Sequence, residues 1–233
     1  RLILPSLTIG AIISGICIAI VVFGIGDLSG TSEPLIEKQL AEKQVEPVQI
    51  TTETFFENSS PILGNPNAEI TLIEFGDYQC HFCNVYFHNT EHKIFENYVM
   101  TGKVNVIFKD YTIIGPDSVV AAHAAHCAGE QGKFWEFHNT LYNNWGGENT
   151  GWITQNVLQG FAKDIGLNLD EFSQCLENSE YRQKVLDNEQ FAREIGINAT
   201  PSFLIFNDNE LYRIIGAQPF DRFEQAFQEL GNS

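Results

Sequence analysis

The sequence predicts an α/β domain in which a block of helices is inserted between two parts of one small β-sheet, preceded by one N-terminal transmembrane helix. Three observations support this prediction. A strand, a helix and a second strand follow one another over residues 70–108. Helical patterns then fill residues 115–195, and the chain returns to a strand hairpin and a final amphipathic helix.

The first predicted element is a membrane anchor. Residues 2–26 carry no charged side chain, and about 20 apolar residues cross a bilayer as a helix. Arg1 precedes this stretch and Asp27 follows it, so we expect the C-terminal part to be extracytoplasmic. A cleaved signal peptide would have a shorter apolar core and a small-residue cleavage site, which the sequence matches poorly. The expected parts are an uncleaved anchor, a tether and a folded domain, at residues 1–26, 27–49 and 50–233.

The folded domain begins with a parallel strand–helix–strand unit. Residues 70–75 and 104–108 are short apolar runs typical of buried strands. The amphipathic pattern between them predicts a helix over 80–100, and such a crossover is right-handed. Residues 54–56 are interpreted as an additional edge strand.

The remaining elements are a helical insertion and a closing hairpin. Ala-rich and amphipathic patterns predict five helices, at residues 119–130, 134–142, 155–166, 170–178 and 180–195. Apolar runs at 203–206 and 211–215 flank a polar turn and predict a hairpin. The last amphipathic helix covers 220–230.

Composition excludes some classes of function. The chain has 233 residues, 43% of them hydrophobic, which is enough for one well-packed domain and an appendage. Its formal net charge is −17, so it lacks the basic surface that nucleic-acid binding needs. We therefore expect no nucleic-acid partner.

The chemistry centres on the sequence Cys80-His81-Phe82-Cys83, which directly follows the first strand. A thiol at the start of a helix faces the positive end of the helix dipole, which favours the reactive thiolate. We expect Cys80 to be the exposed nucleophile and Cys83, one turn further, to be the buried resolving thiol. The redox centre is then this pair itself, and no bound cofactor is expected.

A metal site is the alternative interpretation of a Cys-x-x-Cys sequence. A tetrahedral zinc site needs two more ligands, and the sequence offers no second Cys-x-x-Cys. His88 and His92 lie four residues apart and are interpreted as a solvated helix face. His123 and His126 precede Cys127 and are assigned to helix packing.

Four cysteines follow the predicted anchor, and an even number in an extracytoplasmic domain suggests two disulfides. The natural pairing is Cys80 with Cys83 for chemistry and Cys127 with Cys175 for structure. Two unpaired buried cysteines at 127 and 175 are the alternative. The fifth cysteine, Cys17, is assigned to the membrane helix as a small hydrophobe.

Three further residues are candidates for the same site. Thr200-Pro201 precedes the third core strand, where a cis peptide bond would present backbone polar groups to an extended substrate. Glu74 is a single acid in an apolar strand; if buried beneath Cys83, it would have a raised pKa and exchange a proton with that thiol. His81 either stabilises the Cys80 thiolate or is an exposed residue with little effect.

With these residues in place, the chain resembles the DsbA-like thiol:disulfide oxidoreductases, in which a helical domain is inserted into a thioredoxin fold. Four segments within about residues 50–230 carry the resemblance, EFGDYQCHFC at 74–83, AHCAGEQGKFW at 125–135, GINATPSF at 196–203 and GAQP at 216–219. The resemblance implies that Cys80 is the nucleophile and Cys83 its partner. It also implies a cis Pro201 preceded by Thr200, and supports a disulfide from Cys127 to Cys175.

The sequence therefore predicts a membrane-anchored, extracytoplasmic thiol:disulfide oxidoreductase that forms disulfides in exported proteins. Its substrates would be thiols of unfolded or exported proteins, and the resemblance implies a membrane redox partner that reoxidises it. Familiar members carry Pro and then His or Tyr between the two cysteines. His81 and Phe82 take those places here, so the strongly oxidising potential of those members is not carried over to this chain.

Three alternatives remain open at this point. One is a reductase or isomerase with the same site; isomerases of this fold usually add a dimerisation domain, and residues 27–54 look too short for one, which favours a monomer. The second is a metal-binding or metal-delivery protein that uses the Cys80 and Cys83 thiols. The third is a non-catalytic binding module, against which both cysteines and Thr200-Pro201 argue.

Overall fold

The computed structural model of the chain describes residues 52–232. The predicted anchor, Cys17 and the tether lie outside these residues. Within 52–232, no helix is both long and apolar enough to cross a membrane.

A four-stranded sheet forms the centre of the domain. Its strands are Ile70–Gly76 (β1), Val104–Asp110 (β2), Ser202–Phe206 (β3) and Leu211–Ile215 (β4). They are arranged in the order β2-β1-β3-β4, with β1 and β2 parallel and the other two pairs antiparallel. The first three strands are buried along their whole length and β4 is largely exposed, as expected for a sheet that is covered on both faces and has one open edge.

Nine α-helices and two π-helical segments surround this sheet in the described part of the chain. The α-helices are Thr52–Phe56 (α1), His81–Tyr86 (α2), His92–Ile94 (α3), Pro116–Glu130 (α4), Phe134–Asn143 (α5), Gln155–Asp164 (α6), Leu169–Asn178 (α7), Arg182–Glu194 (α8) and Phe220–Leu230 (α9). The π-helical segments, Phe87–Glu91 and Phe95–Val99, join α2 and α3 into one helical stretch.

The two faces of the sheet bury different sets of side chains. On one face, Leu72 and Ile205 pack with residues of the α2–α3 stretch and of α9, including Phe223. On the other, Ile73 and Leu204 pack with residues from α1 and α8. This alternation follows from the two-residue period of a strand, and it allows helices to pack on both faces of the sheet.

The insertion α4 to α8 forms a second apolar cluster beside the sheet. Its centre is α4, whose small alanines are fully buried and let the neighbouring helices approach. A disulfide joins Cys127 of α4 to Cys175 of α7, with Cα atoms 5.8 Å apart. The same cluster includes Cys80 and Cys83, so the insertion forms one wall of the dithiol site.

The structure confirms the α/β fold with a helical insertion and corrects one predicted element. Residues 54–56, expected as an edge strand, belong to helix α1. Phe55 packs there against the rings of Phe191 and Phe206, which a helix on the face of the sheet permits. Leu63 instead forms an isolated bridge with Val106 at the edge of β2.

Candidate active site

The turn between β1 and α2 is held by Asp77. Its Oδ1 accepts a hydrogen bond from the Gln79 N–H at 2.8 Å, its Oδ2 accepts one from the Ile114 N–H at 2.9 Å, and its carbonyl accepts the Cys80 N–H. Burial raises the pKa of Asp77 to about 6, although the hydrogen bonds from the Gln79 and Ile114 N–H groups oppose the rise. The turn therefore places Cys80 at the N-cap position of α2.

Cys80 is the thiol with the stabilised thiolate. A hydrogen bond from the Cys83 side chain is the largest influence and lowers the pKa of Cys80 to about 6 against the cost of burial; the Thr200 side chain and the N–H groups of Cys83 and Phe82 add to the lowering. A thiol with this pKa is mostly ionised at neutral pH, and the thiolate is the nucleophilic form.

The expected exposure of Cys80 is wrong in this structure. Its side chain is only 4% exposed, and its Sγ lies 3.4 Å from the carbonyl oxygen of Thr200. The segment that precedes β3 therefore lies against the Cys80 sulfur. Phe82, by contrast, is 59% exposed and forms an apolar rim beside the site.

Cys83 has the opposite environment. It is fully buried, and burial, followed by the hydrogen bond to Cys80 and the charges of Cys80 and Glu74, holds its pKa well above the ordinary value. The two thiols are unpaired in this structure. In the dithiol, Cys80 is thus suited to attack as a thiolate, whereas the environment of Cys83 favours the protonated thiol.

The Thr200–Pro201 peptide bond is cis, and it lies directly against the dithiol. Thr200 is buried, and its carbonyl is the group that contacts the Cys80 sulfur. The Pro201 carbonyl accepts a hydrogen bond from Gly216 N–H at 2.8 Å, which ties the segment to the end of β4.

Glu74 lies within the sheet, paired with Phe108 on β2 and Phe203 on β3. It is 3% exposed, and its Oε1 has no hydrogen-bond partner among the described residues. Burial, and then the charges of Glu91 and Cys80, raise its pKa well above the ordinary value. Burial at this position therefore disfavours the charged carboxylate.

Replacing Glu74 with Gln should stabilise the oxidised protein more at pH 8 than at pH 4. A carboxyl whose folded pKa is raised favours the folded state at low pH and loses that contribution as pH rises through the folded pKa. Because burial raises the pKa of Glu74, we expect the stability difference between the variant and the original protein to be larger at pH 8 than at pH 4. Urea unfolding of both proteins at each pH measures the difference; an equal difference at both would contradict a raised pKa for Glu74.

His81 is exposed at the first position of α2. Its ring lies beside Trp145 and Phe82, with ring centroids 5.6 Å and 5.3 Å away. Its backbone N–H donates a hydrogen bond of 2.8 Å to Glu148 Oε1. The His81 ring therefore contacts aromatic side chains, and the His81 backbone N–H contacts a carboxylate.

A family model described as thioredoxin matches residues 57–228, well over half of the chain. The chain belongs to the thioredoxin family. Similar proteins include the "Probable disulfide bond formation protein D" of Bacillus cereus, 27% identical over 157 residues that cover 66% of this chain and 73% of that protein. A protein of Bacillus subtilis, "Disulfide bond formation protein D", is 26% identical over 148 residues, covering 62% and 67%.

Solved structures show the same fold. The oxidised BdbD of Bacillus subtilis aligns with a TM-score of 0.68 at 24% identity, over 75% of this chain and 94% of that one. The α-DsbA1 of Wolbachia pipientis aligns with a TM-score of 0.64 at 27% identity, over 72% and 89%. This DsbA-like thioredoxin-family protein is thus a thiol:disulfide oxidoreductase, and its activity is thiol–disulfide exchange.

The DsbA-like site also contains residues that the sequence did not single out. Trp145 Nε1 donates to the Gln79 carbonyl at 2.9 Å, and the Asn149 N–H donates to Gln79 Oε1 at 2.9 Å. Trp145, Glu148 and Asn149 belong to the 145–149 loop, which lies between α5 and α6. Its sequence predicts only a loop, because nothing local indicates that it folds back on the dithiol.

The histidines considered as metal ligands have other surroundings in this thioredoxin-family structure. His126 bonds Asp110 at 2.7 Å, and His123 lies close to Cys127 and Cys175, whose sulfurs are joined in the disulfide. His88 and His92 are exposed and line a surface groove. Within residues 52–232, no group of three closely spaced ligand atoms includes Cys80 or Cys83.

Proposed function

We propose that this protein is an extracytoplasmic oxidase that introduces disulfides into exported proteins through Cys80 and Cys83. The observation that carries the proposal is the unequal pair of thiols: the pKa of Cys80 is lowered to about 6, while that of Cys83 is raised. A stabilised Cys80 thiolate favours the reduced form of the protein, so its disulfide is easily transferred to a substrate.

The proposed reaction starts from the Cys80–Cys83 disulfide. A substrate thiolate attacks the Cys80 sulfur, a new sulfur–sulfur bond forms, and Cys83 leaves and takes up a proton. The second thiolate of the substrate then attacks the first substrate sulfur, which is bonded to Cys80, and releases Cys80 as a thiolate. The substrate loses two electrons, and the protein becomes the dithiol.

Two neighbouring groups assist this sequence in the proposal. Glu74 is buried and its charge influences Cys83, so in its protonated form it is suited to supply the proton that Cys83 needs on leaving. The cis Pro201 and Thr200 lie against the Cys80 sulfur, where an extended substrate segment could pair with the backbone beside the new bond.

The cellular setting is also a proposal. The buried disulfide between Cys127 and Cys175 suits an oxidising compartment, and the apolar stretch at 2–26 suits an anchor that places the domain outside the membrane. Reoxidation of the dithiol needs an electron acceptor, for which we propose a quinone-linked membrane partner. The protein would act as a monomer on the thiols of unfolded or exported proteins.

The reduction potential of the Cys80–Cys83 pair tests the direction of the reaction. We expect a value above about −200 mV, because the pKa of Cys80 is lower than the value of about 7 in thioredoxin, a reductase with a potential near −270 mV. The full chain is equilibrated with glutathione buffers, with Cys80→Ser as the control without exchange. A potential at or below about −200 mV would contradict an oxidase and favour a reductase.

A further inference from the structure

We propose that Glu148, supplied by the helical insertion, limits the oxidising power of the dithiol by placing a carboxylate at the N-terminal end of the active-site helix. The inference rests on exchange at Cys80 and holds whichever direction the proposed function takes. It assigns to the 145–149 loop a role in setting the reactivity of Cys80.

The hydrogen bonds at the start of α2 carry the argument. The N–H groups of Phe82 and Cys83 point to the Cys80 sulfur and lower its pKa. The N–H of His81, between them and Cys80 in the chain, donates instead to Glu148 Oε1 at 2.8 Å. A negative group at a helix N-terminus offsets the positive end of the helix dipole, which is the end that stabilises the Cys80 thiolate.

The loop that carries Glu148 is held in place from several sides. Gln79, which is fully buried, accepts hydrogen bonds from Trp145 and Asn149 and donates one to Ser118 Oγ at 2.9 Å. Asn149 also donates to the Ile114 carbonyl at 3.2 Å. The loop that carries Glu148 is thus held by contacts that do not involve the Glu148 side chain.

Close packing reinforces this arrangement. A Cβ added at Gly115 would lie 2.3 Å from Asn149 Oδ1, so a larger residue at 115 would require the Asn149 side chain to move. Within the loop, Gly147 has a φ of +104°, a conformation that side chains rarely adopt. The backbone at both places therefore favours the fold in which Glu148 reaches His81.

The titratable groups around Cys80 come from three parts of the fold. On its own helix lie Cys83 and His81, β1 contributes Glu74, and the insertion contributes Glu148. Glu148 is exposed, whereas Glu74 is buried with a raised pKa. Removing the charge of Glu148 should therefore favour the Cys80 thiolate and shift the exchange equilibrium toward the reduced protein.

The test is Glu148→Gln in the full chain, because glutamine keeps an oxygen that can accept the His81 N–H and removes only the charge. We expect the pKa of Cys80, read from the pH dependence of alkylation, to fall by about 0.3–0.7. The equilibrium with glutathione should shift about two- to fivefold toward the reduced protein, or about 9–20 mV since tenfold is 29.6 mV.

Two comparisons separate charge from structure. Glu96→Gln removes an exposed acid fifteen residues along the same helical stretch, about 20 Å away, and should leave both quantities unchanged. Glu148→Asp keeps the charge and should remain closer to the original protein. The effect of Glu148→Gln should also shrink in 1 M salt, where the Debye length is about 3 Å.

An unchanged or raised Cys80 pKa in Glu148→Gln would overturn the inference, as would an equal shift in Glu96→Gln. These outcomes are independent of the proposed function. The potential of the unaltered protein decides between oxidase and reductase, whereas the difference between the two proteins decides the role of Glu148.

Discussion

Replacing Cys83 with alanine should abolish turnover and convert Cys80 into a trap for mixed disulfides. Without Cys83 the protein cannot form the internal disulfide that starts the proposed reaction, so it cannot turn over. A mixed disulfide formed when the Cys80 thiolate attacks a substrate disulfide should accumulate, because no internal thiol can reverse it. The change should also raise the pKa of Cys80 from about 6 towards its ordinary value, because the hydrogen bond from Cys83 is the largest influence lowering it. Gel analysis of mixed disulfides and the pH dependence of alkylation measure the two effects.

The size of the second effect is large. At pH 7 a pKa of about 6 leaves about 90% of Cys80 as thiolate, and a pKa of about 8.5 leaves about 3%, so alkylation at pH 7 should slow by up to about thirtyfold. Cys83→Ser is the matched control, since its hydroxyl can still donate to Cys80 and should keep more of the reactivity. Equal alkylation of the Cys83→Ala variant and the original protein would refute the assigned role of the Cys83 side chain.

Both effects follow from the different roles of Cys80 as nucleophile and Cys83 as its buried partner, which the sequence largely predicts. The apolar run at 70–75 and the Cys-x-x-Cys sequence after it place one thiol at a helix start and the other a turn inside. The sequence left the burial of Glu74 open, and the structure shows this residue buried within a strand that is buried along its whole length. The inferences about the two thiols depend on neighbours in the chain, and local periodicity is a reliable guide to such contacts.

The features that the sequence did not predict depend on distant contacts. The carbonyl of Thr200, which covers Cys80, is 120 residues away in the chain, and Glu148 is 67 residues from His81. Thr200-Pro201 was expected at the site, but nothing in the sequence indicated that the Thr200 carbonyl lies against the Cys80 sulfur, so the expected exposure of Cys80 was wrong. No pattern near Cys80 indicated Glu148. The strand predicted at residues 54–56 was wrong for a related reason. Aromatic residues that favour strands also fit a short helix that packs on a sheet.

The second large effect concerns the disulfide of the insertion. Replacing Cys127 and Cys175 together with alanine should lower the free energy of unfolding by about 4 kcal/mol, because the disulfide closes a loop between residues 48 apart in the chain and so restricts the unfolded state. For a domain of this size that corresponds to a fall in Tm of about 8–16 °C. Thermal and urea unfolding of the variant and the original protein, both with Cys80 and Cys83 oxidised, measure it.

The same variant tests whether the disulfide is structural or part of the redox centre. Cys127 and Cys175 lie on α4 and α7, whereas the groups that lower the pKa of Cys80 come from α2 and the segment before β3. The Cys80 pKa should therefore stay near about 6 while the stability falls. A stability loss below about 1 kcal/mol would contradict the loop-closure argument, and a large change in the Cys80 pKa would show that the insertion helices act on the dithiol through this bond. If stability alone changes, the disulfide is structural: it holds α4 to α7 and is separate from α5 and α6, the helices that flank the 145–149 loop.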